Sequence, residues 1–148
     1  MATSHTPEEF ARRIEERSRA VRKNAEKAVK RAALVADQVV VTKTPVDTGR
    51  ARTNWFASIG SPLFKVVEPP ESFATAEESG AFLDSPMSQA RAIIASYKLG
   101  SGDIYITNSV HYIRLLDKGS SAQAPTGMTA SAIAAARRHL RSVRLLRL

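Results

Sequence analysis

TPEEFARRIEERSRAVRKNAEKAVKRAALVADQVVVTKTP occupies residues 6–45 and carries the signature of one unusually long helix. Thr6 is a natural N-cap, Pro7 suits the first turn, and Glu8 and Glu9 lie where the helix dipole favours negative charge. Apolar residues recur at Phe10, Ile14, Val21, Ala25, Ala28, Ala32, Val35 and Val39, the three-and-four spacing of one helical face. The helix is predicted from Pro7 to Lys43, because the residue before Pro45 avoids helical angles. At 1.5 Å per residue it is ~55 Å long. A compact chain of 148 residues has a diameter of only ~38 Å. The second half (Val29, Leu34, Val35, Val39, Val40, Val41) is apolar on several sides and is expected to be buried. The first half has a narrow stripe interrupted at Arg17 and is charged all round. It is expected to project or kink, and to lie on a neighbouring subunit. Pairs such as Glu15–Arg19 also suit a solvated helix.

Downstream, Thr44-Pro45-Val46-Asp47-Thr48-Gly49-Arg50 reads as a turn, with proline, Asx/Thr capping and a permissive glycine. Arg50 to Ile59 reads as a strand, and Leu63 to Val67 as its hairpin partner across Gly60-Ser61-Pro62. Residues 68–84 read as a long loop. A second helix is predicted over 86–97, a turn over 99–103 and a strand over 104–108. A short apolar segment follows at Tyr112–Leu116, then a loop over 119–127. A last helix is predicted from Met128 to Arg144. Together these predict a single α+β domain over 1–148: a long N-terminal helix (7–43, partly projecting) packed on a small, mostly antiparallel sheet, with a middle helix and a C-terminal helix. Residues 44–148 form the body, with the loop at 68–84.

The chain has 148 residues and no cysteine, which excludes a disulfide scaffold, a thiolate metal site and a cysteine nucleophile. No apolar run approaches the ~20 residues of a membrane-spanning helix, and MATSHTPEEFARR has no apolar signal region. The protein is expected to act where it is made, without a membrane. Net charge is +8, which suits an anionic partner. Residues 66–90 hold five acids (Glu68, Glu71, Glu77, Glu78, Asp84) and no base, whereas residues 118–148 hold six bases and no acid. Such patches suit head-to-tail pairing of like molecules.

Signals for catalysis are weak. Asp47-Thr48-Gly49 matches the aspartic-protease tripeptide, and a homodimer would supply two such carboxylates. Arg50 after the glycine would hold both ionised, which spoils a shared proton. A structural turn is the simpler reading. His5, His111 and His139 lack ligand spacing, so no metal is expected, and His111 reads as half-buried. Gly100-Ser101-Gly102 is a turn without the third glycine of a dinucleotide site, and no phosphate loop is present. No cofactor is expected. Arg137, Arg141 and Arg144 form a basic face that can track phosphates or meet acids on a neighbour.

Two loop strings carry a family resemblance. TPVDTGRARTNW (44–55) presents Pro45, Val46, Asp47, Thr48, Gly49, Arg50 and Trp55. YIRLLDKGSSAQAPTGM (112–128) presents Tyr112, Leu116, Gly119, Ser120, Ser121, Gln123, Ala124, Pro125, Gly127 and Met128. In this order, between a long N-terminal helix and an Ala/Arg-rich C-terminal one, they resemble the head–tail connection proteins of tailed bacteriophages. That neck or tail-completion family includes the lambda-like minor tail protein Z and its relatives. The acidic segment 66–84 has no counterpart in that pattern. The resemblance implies a non-enzymatic virion structural protein, assembled in the host cytoplasm, forming a ring at the head–tail junction or the top of the tail. A ring of six follows tail symmetry and a ring of twelve portal symmetry. The implied partners are copies of itself, a connector or tail-terminator ring, and the tail tube or sheath, with non-specific contact to DNA in the channel. Pro45, Asp47, Thr48, Gly49, Arg50 and Trp55 would form a structural turn, with Arg50 paired locally. Tyr112, Gly119, Ser120, Ser121, Gln123, Pro125, Gly127 and Met128 would form a subunit or partner interface. The alternatives are a basic nucleic-acid-binding accessory protein and a homodimeric aspartic protease using Asp47.

Overall fold

The computed structural model describes residues 6–120 and 127–145. The fold is α+β, with the elements α1 (Pro7–Lys43), α2 (Arg50–Thr53), β1 (Phe56–Ile59), α3 (Ala76–Ser96), β2 (Ile104–Thr107), α4 (Ile113–Leu115) and α5 (Met128–Ser142). α1 is one helix from the predicted start to the predicted stop. Glu9 N donates to Thr6 Oγ1 and Thr6 N to Glu9 Oε2, both at 3.2 Å, a reciprocal box that satisfies two otherwise orphaned donors. The helix ends as Thr44 turns extended ahead of Pro45.

α5 runs antiparallel along the second half of α1. At one end Met128 is fully buried with Val40, Val41, Trp55 and Ala132. At the other, Asn24 Nδ2 donates to the Leu145 carbonyl at 3.0 Å. On another side of α1, Ala33 and Leu34 meet a second cluster formed by Ala57, Ala90 and Ile94, with Ile93 and Ile104. Each fully buried Val, Ile or Met side chain in these clusters contributes ~1.5–3 kcal/mol. The first part of α1 has no such cover. Residues 6–20 are all exposed, Phe10 at 63% and Ile14 at 50%. Arg12–Glu16 and Arg19–Glu15 pair along its surface.

The structure corrects several expectations. Residues 50–59 are not one strand: Thr53 sends both its N–H (3.0 Å) and its Oγ1 (2.9 Å) to the Gly49 carbonyl, closing a helical turn. Only Phe56–Ile59 is extended into the sheet. Its partner is not 63–67 but β2, antiparallel, with Phe56 opposite Thr107 and Ile59 opposite Ile104. Pro62 has no N–H for a ladder. The segment after it is held by side chains instead: Thr107 Oγ1 donates to the Leu63 carbonyl (2.6 Å), and Asn54 bonds both the N–H and the carbonyl of Val67.

The expected loop at 68–84 is shorter, because α3 starts ten residues before the predicted 86. Thr75 caps it by accepting from Glu78 N, and Glu78 Oε2 accepts from Ala74 N. Pro86 lies inside this helix. It cannot donate to the Phe82 carbonyl, and Ser85 Oγ does so instead at 2.8 Å. His111 is exposed rather than half-buried, edge-on to Tyr112 with centroids 4.9 Å apart. In α1, Val40 and Val41 are buried, whereas Val29, Leu34, Val35 and Val39 are only partly so.

Candidate functional site: the junction of the two loop motifs

Thr44 joins the two strings. Its hydroxyl donates to the Val40 carbonyl (2.6 Å), accepts from Trp55 Nε1 (2.8 Å) and lies 3.1 Å from Met128 Sδ. Both ends of the first motif and the last residue of the second thus meet in one buried contact. Above it, Pro45 to Ala51 face Tyr112 and Leu116 across an open groove of about 280 Å³.

Two of the three motif glycines, Gly49 and Gly127, are required by close contacts. Gly49 has φ +81°, and a Cβ there would sit 2.8 Å from Leu83 Cδ2. Gly127 has φ +75°, and a Cβ would come within 2.5 Å of the Asp117 carbonyl oxygen. An L side chain at either position would combine left-handed strain with a clash.

Asp117 explains the close approach. Its Oδ1 accepts from Met128 N and Thr129 N, each at 2.8 Å, so a residue eleven positions upstream caps α5. Burial works against its charge, yet the bonds from Thr129 and Met128 outweigh it and hold the carboxyl below the usual range. The carboxylate also lies at the positive end of the helix dipole.

The arginines of the first motif have partners outside it. Arg50 pairs with Glu68, and Arg52 with Asp84 at 3.4 Å. The acidic segment therefore folds back over α2, and Arg50 pairs across eighteen positions rather than locally. Two of the five acids expected to face a neighbour are thus ion-paired within the chain. Asn54 is fully buried, and donates to the Arg50 carbonyl (2.7 Å) as well as clamping Val67. Asn108 Nδ2 donates to the Ala51 carbonyl at 2.8 Å, tying β2 to α2.

The structure gathers Pro45, Asp47, Thr48, Gly49, Arg50 and Tyr112 around the groove, with Trp55, Gly127 and Met128 buried close by. Asp47 and Thr48 are exposed, and Thr48 Oγ1 accepts from Arg50 N at 3.4 Å. Gly119, at φ +83°, breaks the wide π-type turn Leu116–Ser120. Ser121, Gln123, Ala124 and Pro125 lie outside the described residues, as does the Ser120 side chain. Arg137 and Arg141 on α5, and Arg144 just past its end, are exposed downstream of the junction and are not part of it. The sequence reading missed Thr44, Asn54, Asn108 and Asp117 as bracing residues. Thr44, Asn54 and Asp117 lie inside the quoted strings, but partners such as Met128 and Val67 become adjacent only on folding.

One buried acid lies apart from the junction. Asp37 is 2% exposed and borders a cavity of about 180 Å³ with Leu34, Gln38, Met87 and Arg91. Its Oδ1 has no hydrogen-bond partner, and burial pushes its carboxyl up to about 7 against the opposing charge of Arg91. Among the described residues, no group of three His, Asp or Glu is placed to hold a metal, and no helix is long and apolar enough to cross a membrane.

Comparison of the chain with protein-family models, with curated proteins and with solved structures finds no match.

Proposed function

We propose that this chain is a non-enzymatic virion structural protein of a tailed bacteriophage, forming a ring at the head–tail junction or the top of the tail. It would be assembled in the host cytoplasm and joined to a connector or tail-terminator ring and to the tail tube or sheath. The observation that carries this reading is the uncovered first half of α1. The segment after α5 reaches Asn24 at Leu145, and α1 continues for more than four turns past that point with Phe10 and Ile14 exposed. A second copy is the partner that a head-to-tail ring supplies for such an arm. The resemblance of the two loop strings to the neck and tail-completion family supports the same reading. So does their convergence on one braced, open groove of mixed polar and apolar lining, suited to contact with another polypeptide.

Light scattering of the purified chain, with negative-stain images of the same fraction, tests this. The expected result is a closed ring, six subunits by tail symmetry or twelve by portal symmetry. A dimer, or a monomer across the accessible concentration range, would overturn the self-assembling ring. Asp47 has no catalytic task in this reading. Peptide cleavage abolished by Asp47→Asn would establish the protease alternative in its place.

A further inference from the structure

The charges of α1 are arranged in two different ways. Arg12 with Glu16, Arg19 with Glu15, and Lys30 with Glu26 form opposite-charge pairs four residues apart. Lys23, Lys27 and Arg31 follow the same spacing but carry only positive charge, and all three are exposed. Like charges at that spacing repel one another and destabilise the helix. Glu26, the nearest acid in sequence, is already engaged by Lys30 and Lys98. Among the described residues, Lys27 and Arg31 have no acid within ion-pair distance.

The ladder borders a groove. Lys27 and Arg31 from α1 face His139 of α5 and Arg144 just past its end across a volume of about 480 Å³. Arg144 is exposed, and His139 Nε2 is buried with no hydrogen-bond partner. Ala28 and Val143 are the apolar residues of the lining, too little for the apolar centre of a protein interface. The expected basic face on α5 is thus divided: Arg144 joins α1, while Arg137 and Arg141 lie outside this lining.

We infer that the α1–α5 groove and the ladder bordering it bind the phosphodiester backbone of double-stranded DNA, with Lys27, Arg31 and Arg144 from the lining and Lys23, one turn further along α1, as the phosphate contacts. Successive rungs of the ladder are ~6 Å apart along the helix axis. One DNA strand rises ~3.4 Å per phosphate but also turns about its axis, so neighbouring phosphates are ~6.5 Å apart in space and the rungs match successive phosphates. A polyanion relieves the repulsion that the isolated helix leaves uncompensated. The binding depends only on this groove and stands whether or not the chain forms a ring.

The test is fluorescence anisotropy of the full chain with a ~30-bp duplex, titrated at several salt concentrations. Four phosphate contacts predict a log–log salt slope of ~ −3.6 and a loss of affinity of about 10²-fold between 50 and 200 mM salt. Lys27→Gln with Arg31→Gln reduces the slope by ~2 and does not lower the melting temperature, since it removes self-repulsion. Arg19→Gln with Lys30→Gln changes net charge equally but alters only acid-paired residues, and it leaves the slope nearly unchanged. Equal losses in the two double variants would overturn the site and leave only bulk charge. Absence of binding at 50 mM salt would do the same. Competition by polyglutamate as effective as that by DNA, charge for charge, would make an acidic protein surface the partner instead.

Discussion

Residues 24–43 of α1 carry Ala28, Ala32, Val40 and Val41 into the core, whereas residues 6–20 carry Phe10 and Ile14 into solvent. Both belong to one helix of the same geometry. The inner part is held by α5 on one side and by α3 and the sheet on another. The outer part is held by its capping box, by i,i+4 ion pairs, and by propagation from a helix already nucleated in the core. Substitutions in the outer part should therefore be nearly silent for the fold and costly for assembly, with the reverse inside.

The largest effect is expected at the inner end. Trp55→Ala removes a ring buried against Val40, Val41 and Met128, together with its bond to Thr44, and should cost ~3–5 kcal/mol by urea denaturation. A loss under ~1 kcal/mol would mean that the motif junction is not part of the cooperative core.

Asp37 comes next. Its folded pKa of about 7 lies above the ordinary carboxyl value, so the folded state binds a proton that the unfolded chain has lost. Stability from this group is present below ~4 and declines as pH rises towards 7, by at most ~4 kcal/mol. Asp37→Asn should therefore stabilise the protein at pH 8 and change little at pH 4. Parallel stability profiles for the two proteins over that range would refute the assignment.

Asp117 has the opposite sign. Its carboxyl is held low, so its contribution is present above ~4 and fades as pH falls through the depressed value. Asp117→Ala should cost ~1–2 kcal/mol at neutral pH, the scale of a lost helix cap. Amide exchange should then quicken first at Met128 and Thr129. Uniform acceleration along α5 would instead assign Asp117 a global role.

The smallest effect on stability belongs to the arm. Phe10→Ala with Ile14→Ala should change monomer stability by no more than ~0.5 kcal/mol, while sedimentation should show the proposed ring dissociating. An intact ring would place the subunit contact elsewhere and leave the arm to another partner.

Much of this was legible where the determinants are local. Thr6, Pro7, Glu9 and Pro45 bound α1 at the residues observed. The Gly-Ser-Gly turn and the run Ile104–Thr107 likewise declared themselves. The expectations failed where the deciding partner is distant. Residues 50–53 alternate like a strand, yet Thr53 finds the Gly49 carbonyl and Asn108 finds Ala51. Pro86 reads as a helix start only until Ser85 is seen serving the carbonyl that the proline leaves free. The junction was half legible: both strings were identifiable, but their meeting at Thr44 was not.

The sequence by itself therefore determined the long helix, its ends and the unequal burial of its halves, because capping and periodicity act within a few residues. Only the tertiary structure decided that β1 pairs with a strand more than forty residues away, that Glu68 and Asp84 are spent on Arg50 and Arg52, and that Asp117 caps α5. It also decided that Arg144 shares a groove with Lys27 and Arg31. These relations depend on which surfaces pack together. Packing is set by the whole apolar pattern, and a charged residue's partner is whichever group that packing brings within reach.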